Sequence, residues 1–169
     1  MVSSDKYVVR QATSQDLAGI TALLQENSAG NGGTLNGDFS GEKVAGMLNH
    51  PGAFVVVAQS ASGIAGVLFS TSSFQQGPEI VNTMLRAWPP AQQCWIYGPV
   101  CISTAARGQG LLARLYDEMC RYYGNKAPVL FIQADNYHSI QAHQRLGMRE
   151  VGRFSLNGSD FLIYSPACF

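Results

Sequence analysis

Long apolar runs are missing from this chain. The longest unbroken one is AFVVVA at Ala53 to Ala58, far below the roughly 20 residues a helix needs to cross a bilayer. The opening residues, MVSSDKYVVR, contain no apolar signal core. A soluble, cytoplasmic protein with no membrane partner is therefore expected. Charge is also scarce. Only 13% of residues are Asp, Glu, Lys or Arg, and 11 basic residues balance 11 acidic ones. That balance supplies no field to hold a nucleic acid, and none is expected as a partner. The four cysteines, Cys94, Cys101, Cys120 and Cys168, include no CxxC pair, so neither a zinc site nor a disulfide framework is indicated. His138 and His143 are poorly spaced on a helix to share a metal, and no metal is expected. The SPACF end is not a prenylation box, because its cysteine is penultimate.

What is present is a chain able to bury one core, 46% hydrophobic over 169 residues. One domain spanning residues 1–169 is expected, carrying an inserted helical element at about 75–92. KYVVRQA reads as a first strand. TSQDLAGITALLQEN reads as an amphipathic helix with Thr13 and Asp16 in capping positions. The Gly- and Asn-rich stretch ending at Asp38 is a loop, and a second helix covers Ser40 to Asn49. Two apolar runs joined by SASG predict a hairpin. Between Thr71 and Gln93 a short helix places Ile80, Met84 and Trp88 on one stripe; a lid, a dimer contact or a satellite core are all open, and with them a homodimer.

CWIYGPVCI then reads as a strand, and the next helix shows the stripe Leu111, Leu115, Met119 and Tyr122, with Gly124 as its stop. PVLFIQADN is apolar throughout its first half, as a strand buried on both faces should be. HSIQAHQRLG is a short helix opened by Asn136 and closed by Gly147, and REVGRF with DFLIYS flank the turn LNGS. The order gives a mixed sheet with one parallel crossover in its middle, covered by helices.

The chemistry concentrates where a strand hands over to a helix, at VCISTAARGQGLLARLY. A helix start exposes unpaired NH groups and the positive end of the helix dipole, and glycines there let an anion approach. GQGLLA satisfies the dinucleotide pattern GxGxxA, but STAA separates it from the strand and the chain ends in a hairpin instead of further crossover units. No GK[ST] follows, which disfavours a nucleoside triphosphate loop. Two glycines could also serve a tight turn and nothing else.

ARGQGLLARLYDEM followed by FIQADNYHSIQAHQRLGMREVGRF resembles the two signature segments of the GNAT superfamily of acyl-CoA-dependent N-acyltransferases. Arg107 and Gly110 match the first segment, whose final Gly or Ala place is taken by Leu112. Asn136, Ser139, His143 and the Leu-Gly-Met at Leu146 to Met148 match the second in order and spacing. The resemblance implies an α/β (α+β) fold with a mixed, mostly antiparallel twisted sheet of about seven strands, a central parallel β-α-β crossover and flanking helices.

It implies acetyl-CoA or coenzyme A as cofactor, with the pyrophosphate on the NH groups of Gly108, Gln109, Gly110 and Leu111, Leu112 adjoining, and Arg107 shaping the turn, a solvated surface charge being the other reading of Arg107. The strands at Cys94 to Ile102 and Val129 to Asp135 would splay to admit the pantetheine arm. Val100 and Ile102 would offer main-chain groups to it, and the Val100 NH would act as oxyanion donor. Asn136 would bind the arm or cap its helix, with Ser139 beside it. His143 would donate a proton to the leaving thiolate or serve as a packed core histidine. Several relatives in this family carry a Glu on the first of these strands, which here has no carboxylate; the resemblance then implies as candidate bases Glu26 and Glu79, whose regions border the acceptor cleft in related folds, with a water chain or plain surface carboxylates as the other readings. The expected reaction is direct transfer of an acetyl group to the amine of a small molecule or amino acid derivative. A non-catalytic acyl-CoA-binding or protein-interaction module is the alternative.

Overall fold

The computed structural model describes residues 6–28, 39–74 and 77–166. The Gly- and Asn-rich loop from 29 to Asp38, and Cys168, lie outside the described residues. In chain order the elements are β1 (Val8–Gln11), α1 (Leu17–Glu26), α2 (Gly41–Leu48), β2 (Val56–Ser60), β3 (Gly63–Thr71), α3 (Glu79–Ala87), β4 (Trp95–Ile102), α4 (Leu111–Tyr123), β5 (Pro128–Gln133), α5 (Tyr137–Arg145), β6 (Arg149–Leu156) and β7 (Ser159–Ser165). The strands form one seven-stranded sheet in the order β1-β2-β3-β4-β5-β7-β6. β4 and β5 pair in parallel, joined through α4. The β1-β2, β2-β3, β5-β7 and β6-β7 pairs are antiparallel. The mixed, mostly antiparallel sheet with a central crossover is thus the architecture observed.

The chain divides into two compact units, Met1–Ser70 with Gly98–Tyr122, and Thr71–Tyr97 with Tyr123–Phe169. In the first, alternation along β2 and β3 puts Val57, Val67 and Phe69 in one core with Val55 just ahead of β2, Ile20, Leu23 and Leu24 of α1, Val44 of α2 and Cys101. The stripe Leu111, Leu115 and Met119 of α4 is buried as expected. Tyr122 departs from that expectation at 57% exposed. It lies at the last turn, where its ring stacks flat on Phe54 at 3.7 Å and leaves the other face to solvent.

In the second unit, Ile96, Val129, Phe154 and Ile163 of the strands enclose Val81 and Met84 of α3. The inserted helix is part of this core, and Val81 joins it although the sequence stripe named Ile80 and Trp88, which are half-buried beside it. The indole of Trp95 donates to the Lys126 carbonyl at 3.0 Å and stacks on Tyr123 at 4.4 Å. β5 ends at Gln133, before the expected Asp135, because the chain turns there into α5.

The capping box at Thr13 and Asp16 forms, and it caps a short 3-10 turn, Ser14–Asp16, that runs into α1. Asp16 Oδ2 accepts from the Thr13 NH at 2.8 Å, and Arg10 grips both carboxylate oxygens at 2.8 Å. The Arg10 guanidinium, together with the Thr13 bonds, holds this nearly buried carboxyl below its ordinary range. Asp16→Ala should lower stability by about 1 kcal/mol. Because the folded-state value is depressed, that difference is present above about pH 4 and fades as the pH falls through the folded value, which paired thermal melts from pH 7 to pH 2 would read.

Candidate active site

β4 passes to α4 through a 3-10 turn, Thr104–Ala106, and the segment Arg107 to Gly110. Gly108 and Gly110 have φ of +77° and +76°, a region costly for side chains, and a Cβ built on either would meet nothing within 4 Å. The backbone therefore coils tightly with open space in front of it. The first bond running into the helix is from the Arg114 NH to the Gly110 carbonyl at 3.3 Å. The NH groups of Leu111, Leu112 and Ala113 precede it and have no helical carbonyl to pair with. No acidic residue occupies the first turn of α4, so nothing there opposes an anion at the positive end of the dipole. Leu111 is buried, Leu112 is half-buried, and the Gln109 side chain turns back to donate to the Ala105 carbonyl at 3.2 Å.

Arg107 is held from within its unit. Its Nε donates to the Ile102 carbonyl at 3.3 Å and one Nη to Asn27 Oδ1 at 3.1 Å. Val100 is half-buried on β4, and Glu26 is exposed at the end of α1, lining a cavity of about 320 Å³ with Tyr7, Ser62 and Ser103. Cys101 is buried in the core, and burial pushes its thiol up to about 11, which removes it as a nucleophile at neutral pH.

In the second unit, Asn136 caps α5, its side chain accepting from the Ser139 NH at 3.2 Å. The cap function read from the sequence is observed. His143 is 3% exposed. Its Nδ1 lies 2.7 Å from the Ser139 carbonyl and its Nε2 lies 2.8 Å from the Tyr97 hydroxyl. A carbonyl only accepts, so Nδ1 carries the proton and the neutral ring accepts from Tyr97 at Nε2. Burial pushes the imidazole below its ordinary value, partly offset by the Ser139 carbonyl. His143 is thus packed with both nitrogens engaged. Glu79 is exposed at the first turn of α3. Ser139 and His143 are brought together, as are Arg107 and Ile102; Glu26 and Glu79 belong to different units.

No protein-family model matches the sequence, and no curated protein does. Solved structures do match. An N-acetyltransferase from Staphylococcus aureus superposes with a TM-score of 0.69 at 19% identity, covering 94% of this chain and 96% of that one. The Escherichia coli enzyme that N-acetylates an alanine of a ribosomal protein gives 0.68 at 12%, covering 94% and 92%. Arabidopsis thaliana NAA60, solved with acetyl-CoA, gives 0.66 at 15%, covering 94% and 97%.

This is the GNAT acetyltransferase fold. Two polar residues with hydrogen-bond partners in the signature segments lie outside both segments and escaped sequence reading: Tyr97 of β4 in the second unit, and Asn27, which follows α1 in the first. Neither carries a local signal, since each partner is far away in sequence. Among the described residues no group of three or more potential metal ligands exists, and no helix is long and apolar enough to cross a membrane. By NMR the His143 ring should show the Nδ1-H tautomer and titrate below about 6.5. Tyr97→Phe, which leaves Nε2 without its donor, should cost roughly 1–3 kcal/mol of stability in denaturant titration.

Proposed function

We propose that the chain transfers an acetyl group from acetyl-CoA to the primary amine of a small molecule or amino acid derivative. The observation that carries this reading is the open, doubly left-handed turn at Gly108 and Gly110 leading into a helix start without acidic residues. Such a turn fits a diphosphate: the donors are backbone NH groups, the space before them is clear, and the dipole adds favourable charge. The GNAT fold, with acetyl-CoA present in the Arabidopsis structure, supports the choice of anion.

When bound, acetyl-CoA supplies a thioester open to attack by an amine, with a thiolate as leaving group. The chain holds and times that exchange. Leu111, Leu112 and Ala113 donate to the diphosphate, with Gly108 to Gly110 giving access. Val100 offers its NH to the carbonyl oxygen and Ile102 its main chain to the arm. Within the second unit, Tyr97 and His143 form a relay able to store a proton: a proton taken up at the Tyr97 oxygen would move the phenol proton to Nε2, giving an imidazolium steadied by the Ser139 carbonyl. The reverse shift returns the proton to the Tyr97 oxygen. In this reading Glu26 and Glu79 are not required as bases. Leu112, standing where the family pattern has Gly or Ala, favours the second reading, a module that binds acyl-CoA without turnover.

Acetyl-CoA at 100 times its Kd should stabilise the chain by about 2.7 kcal/mol, with NAD and ATP giving less in the same thermal-shift series. Gly110→Leu should weaken acetyl-CoA binding at least about tenfold (about 1.4 kcal/mol) with an unchanged circular dichroism spectrum. Unaltered affinity would remove the diphosphate from this turn. Thiol release across a panel of amines separates the enzyme from the module: binding without release favours the module.

A further inference from the structure

We infer that Asn27 is a positioning residue for the coenzyme-binding turn, acting through Arg107; the inference rests on the acetyl-CoA reading above. Asn27 is one of the few buried polar residues among the described ones, at 8% exposed. Burying an amide is unfavourable unless both of its ends are used. Both are used here. Nδ2 donates to the Leu23 carbonyl at 2.9 Å, closing the last turn of α1, and Oδ1 accepts from Arg107 at 3.1 Å. The same guanidinium donates through Nε to the Ile102 carbonyl at 3.3 Å, and the Arg107 NH reaches the Thr104 carbonyl at 3.4 Å. Arg107 therefore closes the base of the 102–107 segment like a strut whose far end is anchored on α1.

The consequence follows from where the strut ends. Arg107 is extended, at φ −68° and ψ 152°, and the next residue, Gly108, is left-handed. The direction in which the turn leaves Arg107 sets where the NH groups of Leu111, Leu112 and Ala113 point. Arg107 is exposed, but its Nε and one Nη are engaged by Ile102 and Asn27 within its own unit, so it contributes alignment of the turn. Asn27 is neutral, so it holds the guanidinium without cancelling its positive charge, which still adds to the field at the turn. A carboxylate in its place would give a stronger bond and lose that charge.

The test is a cycle of Asn27→Ala, Arg107→Ala and the double variant, read by calorimetric titration with acetyl-CoA and by thermal melting without it. Asn27→Ala should raise the Kd for acetyl-CoA about tenfold, in line with the loss of a charge-assisted bond. In the Arg107→Ala background the same change should add nothing to Kd while still lowering the melting temperature, because only the bond to Leu23 remains to be lost. Asn27→Ser keeps a hydroxyl able to bond the Leu23 carbonyl but is too short to reach Arg107. It should match Asn27→Ala in Kd with a smaller loss of melting temperature, and it carries the test if Asn27→Ala does not fold. A Kd within twofold of the parent for both Asn27 variants, or an equal added weakening in the Arg107→Ala background, overturns the inference and leaves Asn27 a helix cap. A parent chain that does not bind acetyl-CoA overturns the functional reading itself, and this inference with it.

Discussion

A helix cannot pair the NH groups of its own first turn. At the start of α4 those of Leu111, Leu112 and Ala113 precede the first helical bond, which Arg114 makes to Gly110. The constraint is general, but its use depends on what surrounds the turn. Here the approach is through two left-handed glycines with clear space before them, and the turn holds no acid. A side chain at either glycine would strain the backbone and project into the approach. A carboxylate in the first turn would fill the role of the anion. The candidate site is built on this open helix start, and Arg107 and Asn27 matter because they aim it.

The second unit shows the same requirement met inward. Imidazole, phenol and carbonyl are buried together, and each polar atom of that chain finds a partner: Ser139 carbonyl, His143 and Tyr97 in sequence. The carbonyl can only accept, and that fact sets the direction of every proton in the row. A neutral histidine results. Cys101 illustrates the opposite outcome. Surrounded by apolar side chains of the first core, its thiol is pushed away from the reactive thiolate form and behaves as a small hydrophobe.

The fold persists at 12% and 19% identity to solved acetyltransferases because what it needs from sequence is coarse. Alternating apolar positions on strands and one apolar stripe per helix suffice to choose the layers. In the first unit, α1 and α2 supply Ile20, Leu24 and Val44 to a core whose floor is Val57 and Val67. In the second, α3 supplies Val81 and Met84. A helix with that much buried surface is a structural member of its unit, and its apolar stripe was visible before its partners were.

Local features were legible from the chain alone. The LNGS turn joins β6 and β7 with Asn157 and Gly158 at φ of 52° and 81°, Asn136 caps α5, and Thr13 and Asp16 form their box. Each of these is an interaction between residues within one turn of each other, so residue type and spacing determine it. Tyr97 and His143 meet across 46 positions, and Asn27 and Arg107 across 80. The exposure of Tyr122 likewise reflects what lies opposite the end of α4, not its place on the stripe. Sequence by itself determined the main helices and strands, their order and the glycine turn before α4, because periodicity and capping act over a few residues. Tertiary structure alone decided which buried polar groups share hydrogen bonds, because those bonds form only once packing has excluded water and left each group a single partner.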